Sequence, residues 1–269
     1  MTEFLFDTHC HFDTIDDARE QLTRAYTNGV RALNVIGCDL ATSTLAIDIV
    51  KMVQDERETL KLDDIDIMAT IGLHPHEAKF FTEQNQALVK LLDDNKELVC
   101  AIGEAGYDFY YGHSSKEDQE IAFKFQLDLA REYDLALVIH TRDAWEETFS
   151  MLDDNAWPDK TVFHCFSGGP EQALRCIESG AVISISGIST FKNAQDIRDA
   201  ISAVSIDNLL SETDAPWLAP VPYRGKLNEP SYVENVVAQI CKTRFETHNE
   251  SEIEVKKYLY KNALRIFRK

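Results

Sequence analysis

A chain of 269 residues with 44% hydrophobic content can bury one sizeable core, and no run approaches the roughly 18 consecutive apolar residues of a membrane span. Its formal charge of −19 opposes binding of a polyanion over a broad basic face, so an anionic partner has to be held locally. Six scattered cysteines without a CxxC pair, and an N-terminus without a basic segment before an apolar stretch, fit a reduced cytoplasmic protein rather than a secreted disulfide framework.

Short apolar runs recur along the chain at Phe4–His9, Ala32–Cys38, Ile65–Leu73, Leu98–Glu104, Leu135–His140, Thr161–Phe166, Ala181–Ser186 and Asn208–Glu212. These eight predict strands. Segments of helical periodicity lie between most of them. Ile121–Tyr133 places Phe125, Leu129 and Tyr133 at i, i+4 and i+8, and Glu171–Ser179 places Ala173, Leu174 and Ile177 on one face. No low-complexity or Pro/Gly/Ser-rich linker divides the chain, so residues 1–269 read as one domain. Eight strands alternating with helices predict an α/β fold, a single (β/α)₈ barrel. An open doubly wound sheet is the main alternative, but it would usually carry a Gly-rich turn after its first strand. Here that strand runs into His9-Cys10-His11.

Polar residues gather at the C-terminal ends of the runs: His9 and His11, His74 and His76, Glu104, His140, His164 and Asp214. In a barrel those ends converge on one mouth, where active sites sit. Alternation along a strand turns His9 and His11 to the same side and Cys10 to the other. Four imidazoles (His9, His11, His140, His164) and two carboxylates (Glu104, Asp214) are too many ligands for one catalytic ion that keeps an open position. They suit two ions: one on His9, His11 and Asp214, the other on His140 and His164, with Glu104 able to bridge. Two such ions can activate water to hydroxide and clamp both attacking and leaving oxygens. A lone strand-end histidine is more often structural; six convergent ligands make independent structural roles improbable. His74 or His76 either touches substrate phosphate or braces the loop around Pro75. Cys10 and Cys165 read as small hydrophobes turned toward the barrel–helix interface.

The segments Asp7-Thr8-His9-Cys10-His11-Phe12-Asp13, Gly72-Leu73-His74-Pro75-His76, Ile102-Gly103-Glu104-Ala105-Gly106-Tyr107-Asp108-Phe109-Tyr110, His140-Thr141-Arg142-Asp143-Ala144 and Phe163-His164-Cys165-Phe166-Ser167-Gly168 occur in that order. They are followed by Gly187-Ile188-Ser189-Thr190-Phe191-Lys192-Asn193, by Glu212-Thr213-Asp214-Ala215-Pro216-Trp217-Leu218-Ala219-Pro220, and by Arg224-Gly225-Lys226-Leu227-Asn228-Glu229-Pro230. Together they closely resemble the TatD family of metal-dependent deoxyribonucleases, among the amidohydrolase-like barrels, nearly end to end. The resemblance implies that His9, His11, Glu104, His140, His164 and Asp214 are metal ligands, with Glu104 and Asp214 also catalytic. It implies two divalent cofactor ions, with Mg²⁺, Mn²⁺ and Zn²⁺ all compatible with a mixed imidazole and carboxylate set. The implied partner is DNA, and the implied reaction is phosphodiester hydrolysis from single-stranded 3′ ends, a 3′–5′ exonuclease.

Ala105, Tyr107 and Trp217 depart from residues common in that family and are expected to shape the pocket. Arg142 is the best candidate phosphate clamp, because a guanidinium binds phosphate bidentately, or else it pairs with Asp143 or another nearby carboxylate. Lys192, Arg224 and His76 are further candidate substrate contacts. Among Tyr107, Phe109, Tyr110 and Tyr111, one or two could stack on a terminal base, or all pack a loop over the rim. A rival reading is a hydrolase of a small ester, lactone, amide or phosphoester on the same barrel. Related amidohydrolases often bridge their metals with a modified lysine; Glu104 at that place favours the TatD group. A non-enzymatic binding barrel would have lost ligands, and all six are present.

Overall fold

The structure, a computed structural model, describes residues 4–268. Eight strands, β1 (Leu5–Cys10), β2 (Val30–Val35), β3 (Asp66–Ile71), β4 (Val99–Asp108), β5 (Ala136–Arg142), β6 (Thr161–Phe163), β7 (Val182–Ile185) and β8 (Leu209–Ser211), form one sheet in sequence order. Every paired neighbour is parallel. The barrel closes just beyond β8, where Asp214 N–H donates to His9 O at 2.9 Å and His11 N–H donates to Ala215 O at 2.8 Å. The closing bonds thus place Asp214 beside the first histidine pair.

The helices are α1 (Ile15–Thr27), α2 (Leu40–Leu60), α3 (Phe81–Asp94), α4 (Lys116–Glu132), α5 (Trp145–Asn155), α6 (Pro170–Glu178), α7 (Gln195–Ala203), α8 (Val233–His248) and α9 (Glu252–Phe267). Side-chain caps start several of them. Thr14 accepts from Asp17 N–H, Asp39 and Thr42 form a reciprocal capping box, and Ser251 does the same with Glu254. The barrel interior is filled low down by Phe6, Ala32, Val138, Val162, Val182 and Leu210. Phe267 of α9 reaches Phe6, with ring centroids 6.2 Å apart, and Arg268 lies over the same ring. That floor leaves the C-terminal mouth as the open end.

The structure refines the two predicted helix faces, and only Leu174 departs from its expected face. On α4 the buried side carries Ala122, Phe123, Gln126, Leu127 and Ala130 as well as Leu129, while Phe125 and Tyr133 are only half-buried. On α6 Ala173 and Cys176 are buried and Leu174 is exposed. On α4 the predicted face packs at the margin of a wider apolar stripe; on α6 Ile177 packs against the core, and Leu174 lies outside the packed face. Gln119 and Gln126 hold the buried side of α4 by bonding to loop and strand backbone at Asp108 and Leu73, a role that hydrophobic periodicity does not register.

The strand boundaries matter more for the site. β4 does not end at Glu104 but runs on to Asp108. Against β5, Ile102 pairs with Leu137 and Ala105 with Ile139, so Gly103 and Glu104 together oppose Val138. This bulge re-aims Glu104 into the mouth. Gly103 makes it possible, with φ +142° and a Cβ position 2.6 Å from Val138 O; further on, Gly106 has φ +136°, and a Cβ there would sit 2.1 Å from His140 O. A similar slip on β1 lies between Asp7 and Cys10. Within it Thr8 and His9 together oppose Asn34; Thr8 reaches Ser184 of β7 at 3.0 Å, while His9 turns to meet His11.

Candidate active site

All six predicted ligands meet at the mouth. His9 Nε2 and His11 Nε2 are 3.2 Å apart, and they lie 3.3 and 3.4 Å from Glu104 Oε2. Asp214 Oδ1 is 3.8 and 3.7 Å from the same two nitrogens. The other carboxylate oxygen, Glu104 Oε1, faces His164 Nε2 at 2.7 Å and His140 Nδ1 at 3.5 Å. Two donors held about 2.1 Å from one ion at a near-tetrahedral angle lie roughly 3.4 Å apart. The spacings on the His9 and His11 side and that of His140 fall near that requirement, while His164 closes on Glu104 in a direct hydrogen bond; the donor set of imidazole and carboxylate suits a divalent cation.

Burial sets the charges. Taken out of water, the His9 ring is pushed down to about 4, with His164 adding repulsion. Burial also works against the charge on Glu104, yet His164, His9 and His74 hold its carboxyl well below the usual range. Burial disfavours a charged His164, but Glu104 outweighs it and raises that ring well above its ordinary value. Without metal, therefore, a Glu104–His164 ion pair occupies the centre. A cation has to displace that proton, so binding is coupled to proton release.

Beneath the six lie residues that the sequence reading did not single out. Asp108 Oδ2 bonds His140 Nε2 at 3.1 Å and His76 Nε2 at 3.0 Å. Glu212 Oε1 accepts from Cys165 N–H at 2.6 Å and lies 3.5 Å from His164 Nδ1. The Cys38 thiol donates to Glu104 Oε2 at 3.4 Å and lies 3.7 Å from His11 Nδ1. The outward nitrogens of His11, His140 and His164 thus each face a second polar side chain, as orienting partners of metal-bound imidazoles do. Asp108 and Glu212 could have been suspected as acids in apolar strand ends; Cys38 carried no such signal.

A cavity of about 660 Å³ opens above this centre. His74, His76, Glu104, His140, His164 and Asp214 line it, as do Arg142, Tyr111 and Trp217. His74 comes within 3.7 Å of Glu104 Oε1, and its Nδ1 accepts from His76 N–H, so it both faces the site and braces the turn. Arg142 makes no ion pair with Asp143 among the described residues; its guanidinium lies 4.1 and 4.7 Å from the rings of Tyr110 and Tyr111. Lys192 and Arg224 do not line the cavity, and Arg224 instead covers Phe191 at 3.8 Å. Ala105 and Tyr107 are buried in the core, Tyr107 edge-on to Phe123, so they do not shape the pocket; Trp217 does. Cys165 faces the cavity rather than the barrel–helix interface, because its φ of +42° takes it out of strand alternation.

Residues 6–268 match the family model described as TatD related DNase. This chain belongs to the TatD family. It is 36% identical over 271 residues to an uncharacterized metal-dependent hydrolase, YabD, of Bacillus subtilis, covering 98% of this chain and 99% of that one. It is 34% identical to the uncharacterized metal-dependent hydrolase YcfH of Escherichia coli over 87% of this chain and 85% of the other. Among solved structures, the TatD homologue YJJV of E. coli aligns over the full length of both chains with a TM-score of 0.85 and 27% identity. TatD membership makes the chain a metal-dependent hydrolase on a (β/α)₈ barrel.

Proposed function

We propose that this TatD protein is a deoxyribonuclease that removes nucleotides from single-stranded 3′ ends, using two divalent ions. The observation that carries the two-ion reading is the division of Glu104, whose Oε2 faces His9 and His11 while Oε1 faces His140 and His164. His9, His11 and Asp214 would hold one ion, His140 and His164 the other, with Glu104 shared. Bound there, the ions would supply Lewis acidity and a water activated near neutral pH. Asp214, which lines the cavity, would take the proton from the attacking water. Arg142, unpaired with any carboxylate among the described residues and lining the cavity, would bind a non-bridging phosphate oxygen. His76 lines the same wall; with its Nε2 held by Asp108, it would contact phosphate only through Nδ1 and only when that nitrogen is protonated.

The nuclease part of the reading is supported by the family description and by the rim. Tyr111 and Trp217, 53% and 56% exposed, border the cavity and would offer ring surface to a base, Tyr111 as part of a cluster with Arg142 and His113. The −19 charge is compatible with this, since attraction would be concentrated at the metal centre. Cys10, Cys38, Cys100, Cys165 and Cys176 form no disulfide among the described residues, which supports a reducing, cytoplasmic setting.

The test is digestion of a 3′-labelled single-stranded oligonucleotide by wild type and Asp214→Asn with Mg²⁺, Mn²⁺ or Zn²⁺ added in turn. Stepwise nucleotide release by wild type and its loss in the variant are expected. Equal activity in the two proteins overturns the site assignment. No release with any of the metals, alongside turnover of a small ester or lactone, overturns the nuclease reading.

A further inference from the structure

We propose that Asp108 is a positioning residue that locks His140 in the one tautomer able to hold the second ion. The inference rests on the two-ion reading of the site. Asp108 is buried at the end of β4, and each of its oxygens has a distinct task. Oδ1 accepts two backbone N–H groups, from Tyr110 at 3.0 Å and Tyr111 at 3.1 Å. Oδ2 faces two ring nitrogens, His140 Nε2 at 3.1 Å and His76 Nε2 at 3.0 Å.

An ionised carboxylate only accepts hydrogen bonds. Both imidazoles must therefore donate from Nε2. For a neutral His140 this leaves the lone pair on Nδ1, the atom that lies 3.5 Å from Glu104 Oε1 and 3.3 Å from His164 Nε2. The carboxylate thereby selects the nitrogen presented to the ion. The outward bond also fixes the ring plane.

The arrangement makes an unusual prediction for Asp108→Asn. An amide can usually flip to suit its partners. Here it cannot, because the two backbone donors require an oxygen at the Oδ1 position. The NH₂ group is then forced to the Oδ2 position, where it needs a lone pair on His140 Nε2. The proton moves to Nδ1 and points at Glu104. Asp108→Ala imposes no such demand: a water can accept from Nε2–H, and the ring keeps the competent tautomer with looser orientation. The nearly isosteric change should therefore be worse than the truncation, the reverse of what a packing role gives.

The experiment uses Zn²⁺ alone, measured by calorimetric titration and by elemental analysis after dialysis, with circular dichroism and thermal midpoints to verify folding. Wild type is expected to hold two ions per chain. Asp108→Ala should weaken the second by roughly 10–100-fold, the usual cost of an outer-shell loss. Asp108→Asn should lose it while keeping the first. Independently of any variant's folding, ring-nitrogen NMR of zinc-loaded wild type should show His140 metallated at Nδ1 and protonated at Nε2, with His140→Gln used for assignment. Asp108→Asn binding the second ion as well as Asp108→Ala does, or metallation at Nε2, overturns the tautomer lock and leaves the two-ion reading standing. Wild type that binds a single Zn²⁺, or none, overturns both.

Discussion

His164 Nε2 lies 2.7 Å from Glu104 Oε1, while His9 reaches the same carboxylate through Oε2 at 3.3 Å. One side chain therefore serves both halves of the centre. Glu104→Gln replaces one of those oxygens with a donor that cannot face a cation. Loss of bound metal is expected, with a fall in hydrolytic rate beyond the roughly 10–100-fold that outer-shell changes cost. In the metal-free protein His164 also loses its counter-charge, so its ring should titrate lower than in wild type. Elemental analysis, rate measurements and histidine NMR check the three parts.

Gly106 controls how closely β4 approaches the strand that carries His140. An alanine there has to adopt φ +136° and push against His140 O, 2.1 Å from the added carbon. The backbone term alone is about 1–3 kcal/mol, and the clash adds to it. Gly106→Ala should unfold at lower urea than wild type and bind metal more weakly, whereas Gly112→Ala, with open space around its Cβ position, should show only the strain of its φ of +62°. Comparable metal loss in both variants would contradict the close-approach argument.

The same stretch shows what was legible in the sequence. Alternation at His9 and His11, and polar residues ending apolar runs, were enough to assemble the six donors. The bulge at Gly103–Glu104 was not legible, because two residues opposing one leaves no mark in a hydrophobic pattern. Ending β4 at Glu104 hid Asp108, which lies four residues further on at the true strand end. Cys38 belongs to the site only through the packing of β2's exit against Glu104. Lys192 and Arg224 stand out in the sequence by their charge within motifs, and charge does not reveal which way a loop faces.

Arg142 and those two cations therefore separate. Arg142→Ala should raise KM for a single-stranded oligonucleotide, and Arg142→Lys should recover only part of it, since the planar fork that binds phosphate and lies on the Tyr110 ring is lost. Lys192→Ala and Arg224→Ala, outside the cavity lining, should leave KM close to wild type. Steady-state kinetics at fixed ionic strength is the measurement. A larger effect at Lys192 than at Arg142 would move the phosphate path to the other rim.

Tyr111 and Trp217 test base stacking apart from phosphate binding. Stacking is worth about 1–3 kcal/mol per base, so Tyr111→Ala or Trp217→Ala should weaken oligonucleotide binding by roughly 5–150-fold. A small phosphodiester without a base should be turned over equally by wild type and variants. Trp217 also meets His11 edge-on, with centroids 5.0 Å apart, so metal content must be shown unchanged in its variant. Equal losses on both substrates would assign these rings to the shape of the mouth.

Burial of His9 gives a pH dependence whose sign can be worked out. The unfolded ring takes up a proton near 6.5, while the folded ring, pushed down by burial and then by His164, resists until about 4. Between those values the unfolded chain binds more protons, so stability falls as pH falls. The contribution is fully present above pH 6.5 and is lost as pH drops through 4, on the order of 3 kcal/mol in total. Metal-free His9→Asn lacks it. Urea midpoints at pH 7 and pH 5 should therefore fall further for metal-free wild type than for the variant. Other groups, including the upward-shifted His164, titrate in both proteins, so the comparison isolates His9. Parallel losses would mean that the folded His9 ring takes up its proton near the ordinary value and that burial does not keep it neutral. Above pH 6.5 the His9 ring is neutral, so metal affinity there should follow the proton held between Glu104 and His164 rather than the charge of His9.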